Sequence, residues 1–277
     1  MHLTILVDNE GADGLEAEHG FAALVEHGGR VVLFDTGTTG AAVRNAERLG
    51  VDLSRVETIA LSHGHYDHTG GLEAALGATG PVRLVGHPAA FGEKTVQHGA
   101  DLRDAGMSLS RNDLAALGAT IETNEAPVEL APGIWLTGPV PRTTAYETVP
   151  AAFVVHRGDA LVHDDMPDDQ TLFVQTPAGA VVVAGCAHAG IVNTLRYVRE
   201  LTDDAPVTAV FGGSHLMGAD ADRIGRTIDV LRELDVQTVG LCHCTGAEAL
   251  AVIRAALPER FVRVHTGFTW PPKNAAR

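Results

Sequence analysis

The sequence predicts an α/β fold of four layers: two sheets packed face to face with helices outside, built from two similar halves. Three observations carry this. Short apolar runs alternate with stretches of helical period along the chain. The order strand, polar turn, helix, strand, histidine-bearing turn occurs in the N-terminal half and again in the C-terminal half. In both halves polar residues cluster just after the strands, the edge at which open α/β sheets bind ligands.

In the first half, Leu3–Val7 and Phe21–Glu26 read as strands, and Val31–Phe34 as a buried strand ending at Asp35-Thr36-Gly37. A helix is expected from Thr39 to Leu49, because Ala42, Val43, Ala46 and Leu49 share a face and Gly50 stops it. Thr58–Leu61 is the next strand and runs into Ser62-His63-Gly64-His65-Tyr66-Asp67-His68. In the second half, strand Val181–Ala184 ends at Gly185-Cys186-Ala187-His188, and a helix follows from Gly190. Strand Val207–Phe211 ends at Gly212-Gly213-Ser214-His215, before a helix over Asp222–Leu234. Strand Val236–Leu241 ends at Cys242-His243-Cys244, a helix spans Gly246–Leu257, and Phe261–Val264 is the last strand. Residues 86–150 fit the pattern poorly and read as a pocket-shaping insertion within one domain, 1–277.

Composition limits the function. Twenty Lys and Arg against 35 Asp and Glu leave a net charge of −15, a surface that repels phosphate backbones and anionic membranes. The expected partner is therefore a small molecule, with no nucleic acid and no membrane; the oligomeric state is left open. No apolar run reaches a membrane span of roughly 20 residues, and the start of the chain reads as a strand rather than a targeting segment. Three cysteines do not make a disulfide framework, so reduced thiols and a cytoplasmic location are expected.

His63-Gly64-His65-Tyr66-Asp67-His68 is the main chemical signal. Four ligand-type side chains within six residues are costly to bury unless a metal uses them. The glycine is expected to let the turn bend so that the flanking imidazoles converge. This His63-x-His65-x-Asp67-His68 pattern resembles the H-x-H-x-D-H signature of the metallo-β-lactamase superfamily. The resemblance implies an αββα sandwich with a one- or two-metal site between the sheets. By it, His63 and His65 bind a first metal, and Asp67 and His68 a second. Asp8-Asn9, Glu18-His19-Gly20, Phe34-Asp35-Thr36-Gly37, the Gly185–Asn193 segment and His243-Cys244-Thr245-Gly246 are similar to one branch. That branch includes the archaeal dihydropterin–ribofuranosylaminobenzene phosphate synthase and many generic metal-dependent hydrolases.

His188 lies at the sheet edge where the first metal belongs and is assigned to it. If strand Val236–Leu241 continues through residue 244, His243 faces opposite to Cys242 and Cys244 and is assigned to the second metal. His215, at the matching edge of its own strand, is the alternative ligand and otherwise a candidate catalytic residue that touches substrate. Many superfamily members bridge the metals with the aspartate of a Gly-Asp pair; here the matching pair is Gly185-Cys186. Cys186 is either a buried small hydrophobe or a thiolate near metal, and Asp164 and Asp165 are disfavoured substitutes. Asp35 either holds the far nitrogen of a ligating histidine or caps its turn. Asn9, His19, Lys94 and Thr245 are candidate substrate contacts, Lys94 as a cation and Thr245 at a helix start that favours anions.

The expected cofactors are one or two divalent metal ions. Zinc is preferred because the ligands are histidine-rich, with manganese or iron as alternatives. The expected function is a metal-dependent hydrolase using metal-activated water on a small anionic or phosphate-bearing substrate. Asp67 then orients the water, accepts its proton or ligates the second metal. A transferase condensing a dihydropterin pyrophosphate with an arylamine phosphate is the alternative, and a non-catalytic metal-binding module the second.

Overall fold

In the computed structural model, which describes residues 1–272, the first half of the chain forms β1 (His2–Val7), β2 (Ala22–His27), β3 (Arg30–Phe34), α1 (Ala41–Leu49) and β4 (Thr58–Ala60). Then come α2 (Tyr66–Thr69), α3 (Leu72–Thr79), β5 (Val82–Gly86), β6 (Thr95–His98), β7 (Asp101–Asp104), α4 (Arg111–Ala116) and β8 (Ala119–Thr123). The second half contributes β9 (Val128–Ala131), β10 (Ile134–Leu136), β11 (Phe153–Arg157), β12 (Ala160–His163), β13 (Thr171–Thr176) and β14 (Gly179–Ala184). It closes with α5 (Ile191–Leu201), β15 (Val207–Gly213), α6 (Ala221–Glu233), β16 (Thr238–Cys242), α7 (Ala247–Ala256) and β17 (Thr269–Trp270).

Two mixed sheets result, with strand orders β17-β1-β2-β3-β4-β5-β8 and β16-β15-β14-β13-β10-β9. Each is parallel on one side and antiparallel on the other: β3, β4, β5 and β8 run parallel in the first, β14, β15 and β16 in the second. The central parallel strand β14 is a continuous apolar run because both of its faces are covered, whereas β8, at the sheet edge, is largely exposed. Along β14, Val181 and Val183 join Ile5, Phe34, Leu172 and Phe211 in the layer between the sheets. Val182 and Ala184 turn instead to Leu195 and Val198 of α5, beside Leu231 of α6 and Ile253 of α7. On the outside of the first sheet, Ala42 and Ala46 of α1 and Leu72 and Leu76 of α3 pack on Leu6, Leu33 and Ile59. These are the four layers of an αββα sandwich.

Helix α1 stops where Gly50 enters the left-handed region at φ 68° and its N–H bonds back to the last turn. Three boundaries differ from the sequence reading. Phe261–Val264 is not a strand: Phe261 makes a single bridge to Val239, and it is β17 that pairs with β1. Strand β16 ends at Cys242, and His243–Thr245 is a 3-10 turn, so strand alternation does not aim His243. The stretch 86–150 is not one inserted unit. It gives β8 to the first sheet and β9 and β10 to the second, while β6 and β7 join β11 and β12 in a separate four-stranded sheet.

Phe211 is fully buried between the sheets against Phe268 and Trp270. Phe211→Ala is expected to cost about 3–5 kcal/mol, the usual penalty for deleting a buried aromatic ring, measured by urea denaturation against wild type.

Candidate metal centre

Strand β4 delivers the chain into the turn that carries His63 and His65, and the single turn of α2 follows with Asp67 and His68. The turn is crowded. A Cβ on Gly64 would lie 2.3 Å from the Ala90 carbonyl oxygen, so this glycine answers a need for space rather than for a bend. Gly64 N donates to Asp168 Oδ2 at 2.8 Å. From the opposite sheet, β14 runs into Gly185, Cys186, Ala187 and His188. Ala187 adopts φ 53°, and Asp169 accepts hydrogen bonds from His188 N and Ala189 N, both at 2.9 Å.

Two half-sites form. In the first, ring nitrogens of His63, His65 and His188 lie within 4.8 Å of one another. His63 Nε2 is 3.0 Å from His65 Nδ1 and 3.3 Å from His188 Nε2. All three residues are buried. Burial is the main cause that keeps them uncharged, and the crowding of His63 by its neighbours adds to it. His65 is pulled down to about 4, and His63 and His188 lie well below their ordinary range. In the second half-site, Asp67 Oδ2 faces His243 Nε2 at 3.4 Å, His19 Nε2 at 3.4 Å and His68 Nε2 at 3.6 Å. Burial opposes ionisation of Asp67, but His68 and His243 hold its carboxyl well below the usual range. Burial opposes charge on His68 as well, and there Asp67 and Asp35 prevail, raising it to about 9.

The surroundings select which nitrogen each histidine presents. The buried carboxylate of Asp35 accepts from Ser62 N at 2.7 Å and Ser62 Oγ at 2.6 Å, and lies 2.7 Å from His68 Nδ1. The Ser62 hydroxyl spends its one proton on Asp35, so it accepts from His63 Nδ1, 2.8 Å away. His63 and His68 therefore carry hydrogen on Nδ1 and turn Nε2 to the site. Asn9 does the same for His243. Its Oδ1 accepts from Gly20 N and lies 3.0 Å from His243 Nδ1. This leaves His243 Nε2 buried with no hydrogen bond among the described residues. Three converging neutral imidazoles and an orphaned ring nitrogen facing a carboxylate are what a divalent cation would satisfy. The residues present fit a metal, one in each half-site.

The residues named from sequence divide accordingly. His63, His65 and His188 come together, as do Asp67, His68 and His243. His243 reaches the site because it takes φ 52° at the end of β16. His215 stands beside the first half-site, its ring 4.5 Å from that of His188, and burial lowers it to about 4. Four expected substrate contacts sit elsewhere in the network. His19, half exposed, stacks on His243 at 5.3 Å and meets Asp67, so it belongs to the second half-site. Asn9 fixes the His243 tautomer. Lys94 is 2% exposed, and its ammonium is taken by Asp168 at 2.5 Å and Asp164 at 3.1 Å, which leaves no free cation for a substrate. The Thr245 hydroxyl is buried between the Cys242 carbonyl and Ser214. Asp165, exposed near His163, lies outside both half-sites. Sequence reasoning passed over Asp168 and Asp169, which brace the two ligand turns, and Phe153, whose ring lies 5.0 Å from His65, 5.3 Å from His188 and 5.9 Å from His215.

With this geometry established, comparison with known proteins gives a consistent picture. The family model described as "Metallo-beta-lactamase superfamily" matches residues 15–207. A Methanocaldococcus jannaschii protein of uncharacterised activity is 31% identical over 96% of this chain and 98% of its own length. A second protein of that organism, the 7,8-dihydropterin-6-methyl-4-(beta-D-ribofuranosyl)-aminobenzene-5'-phosphate synthase, is 30% identical over 91% of this chain and 89% of its own. Among solved structures, Tm1679, a metal-dependent hydrolase of the beta-lactamase superfamily, superimposes with a TM-score of 0.86 at 32% identity, covering 98% of this chain and 99% of that one. Zn(2+)-bound PqqB from Methylobacterium extorquens shares the fold at 13% identity, with a TM-score of 0.62 over 98% of this chain and all of its own.

Asp35→Asn replaces one acceptor by a donor where three donors converge. It should weaken metal binding about 10–100-fold, although residue 35 touches no metal; calorimetric titration of zinc into the stripped protein measures this. The half-sites should also differ in pH response. His65 is neutral well above about 4, so the three imidazoles of the first site should impose no pH dependence of their own from pH 6 upward. His68 holds its proton up to about 9 and must release it from Nε2, so second-site affinity should rise at least about tenfold per pH unit until then. Competition against a chelator across this range separates the two.

Proposed function

Because the chain belongs to the metallo-beta-lactamase superfamily, we propose that it is a metal-dependent hydrolase acting on a small anionic substrate. The observation that carries this reading is the first half-site. Three neutral imidazoles converge there, and they would supply a metal with three nitrogen ligands, the number catalytic sites use, rather than the closed four of structural ones. A divalent metal held there supplies a Lewis acid and lowers the pKa of water at the site. Zinc is proposed, since imidazole dominates the donor set.

The chain's own residues do the rest. Asp67, an ionised carboxylate of the second half-site, orients the attacking water and receives its proton. His215 is neutral at physiological pH and offers one N–H to a substrate oxygen without adding charge. Phe153 lies across His65 and His188 and keeps bulk water from that side. A cavity of about 540 Å³ has His243 in its lining, with Asp8, Glu10, Met217, Ala247, Arg254 and Arg263 among the others. Its apolar wall, Arg254 and the first turn of α7 suit the non-reacting part of an anionic small molecule. The proposal includes a cytoplasmic location, on the strength of three unpaired cysteines. Among the described residues no helix is long and apolar enough to cross a membrane.

The synthase among the relatives supports a second reading, condensation with loss of pyrophosphate. Turnover in heavy-oxygen water separates the two. Hydrolysis puts the label into a cleavage product, whereas condensation yields a joined product without it. In the hydrolytic reading Asp67→Asn should lower kcat far more than it raises KM, because it disturbs the attacking water rather than the pocket. Equal effects on both would count against that role.

A further inference from the structure

Cys186 sits where the two half-sites meet. Its Sγ lies 3.2 Å from His68 Nε2. It belongs to one group of candidate ligands with His63 and His68, and to another with His243 and Cys244, the donor atoms in each lying within 4.8 Å of one another. The first group reaches into the His63 half-site, and the second contains His243, whose Nε2 is buried without a hydrogen bond among the described residues. The position is built rather than incidental. A Cβ on Gly185 would lie 2.1 Å from Ser62 Oγ, and one on Gly213 would lie 2.6 Å from Cys244 Sγ and 3.2 Å from Cys186 Cα. Two bare backbone positions thus let Cys186 approach the histidines. The turn at Ala187, φ 53°, then directs both Cys186 and His188 to the same centre. Cys242, by contrast, packs in the layer between the sheets, and Cys244 Sγ donates to the Cys186 carbonyl at 3.6 Å.

We propose that Cys186 is a metal ligand lying between the half-sites, where its sulfur takes the place of a bridging carboxylate. This rests on the metal-centre reading above and adds a soft donor to it. On binding, the thiol proton passes to solvent and a sulfur–metal bond forms. A thiolate among imidazoles selects thiophilic ions such as zinc, cobalt or iron(II) over manganese and magnesium.

Cobalt(II) titrated into the metal-stripped full-length protein tests this, because cobalt reports its ligands in its absorption spectrum. The wild type should develop visible cobalt bands together with a near-ultraviolet thiolate-to-cobalt band. Cys244→Ala should keep both. Cys186→Ser should lose the near-ultraviolet band, and Cys186→Asp should bind as much cobalt as wild type without it. If Cys186→Ser does not fold, the comparison of wild type with Cys186→Asp decides alone. Visible bands without a near-ultraviolet band in the wild type, or a band that survives in Cys186→Ser or Cys186→Asp, would overturn the proposal while leaving a metal centre standing. Absence of all cobalt bands in the wild type would remove the metal centre itself, and the Cys186 ligand with it.

Discussion

Three hydrogen-bond donors converge on the Asp35 carboxylate: Ser62 N, Ser62 Oγ and His68 Nδ1. Because a carboxylate only accepts, the Ser62 hydroxyl has no proton left for His63, and His63 must donate to it. One buried group thereby places a hydrogen on Nδ1 of a histidine in each half-site and turns its Nε2 to the centre. The arrangement depends on tight backbone geometry. Gly185 leaves room for Ser62 Oγ, and Asp35 itself takes φ 58°, a conformation costly for a residue with a Cβ. The centre thus depends on a carboxylate that touches none of its open positions.

The two half-sites are balanced differently. The first is kept neutral by burial among imidazoles and needs no counter-charge until a cation arrives. The second is held by Asp67 between His68 and His243, with a charged and a neutral imidazole on its two sides. Beneath the first lies a buried ionic group, Lys94 with Asp164 and Asp168. Removing one member of such a group strands the others in low dielectric, which is far more damaging than the group as a whole is stabilising. Its use here is positional: Asp168 holds Gly64 N while Lys94 holds Asp168.

The layers, and most strands and helices, were legible because apolar runs and helical faces are local patterns. The clustering of the His63–His68 loop was legible because four ligand-type side chains within six residues are costly to bury apart. His188 and His243 could be placed because both follow strands whose ends meet at one edge. What was illegible depends on distance in the sequence. Nothing near Asp168 announces that it receives Gly64 N from 104 positions away, nor that Lys94 is consumed by it. Asn9 and Thr245 were recognised as belonging near the centre, but polarity alone cannot tell a side chain that meets substrate from one that orients a ligand. Phe261–Val264 has the composition of a strand, yet the edge of the first sheet is closed by β17, and the segment makes one bridge to β16.

The backbone shows why these strand ends form one site. Asp35, Ala187, His215 and His243 all adopt positive φ without being glycine, and they follow β3, β14, β15 and β16 respectively. These four strands form the parallel parts of the two sheets nearest the centre. A strand that continued straight would carry its next side chains past the edge, alternating between the two faces. A left-handed residue instead turns the chain sharply, so that successive ligand-type side chains address the same point. Each such turn costs on the order of 1–3 kcal/mol. The expense recurs at four strand ends around the cluster, one in the first sheet at Asp35 and three in the second at Ala187, His215 and His243. His243 shows the principle in one residue: extended alternation would aim it by face, whereas the observed turn brings it to Asp67 while its backbone N–H is held by Asp8 at 2.9 Å. The strain is therefore part of how an αββα sandwich gathers sequence-distant histidines and carboxylates into one cluster.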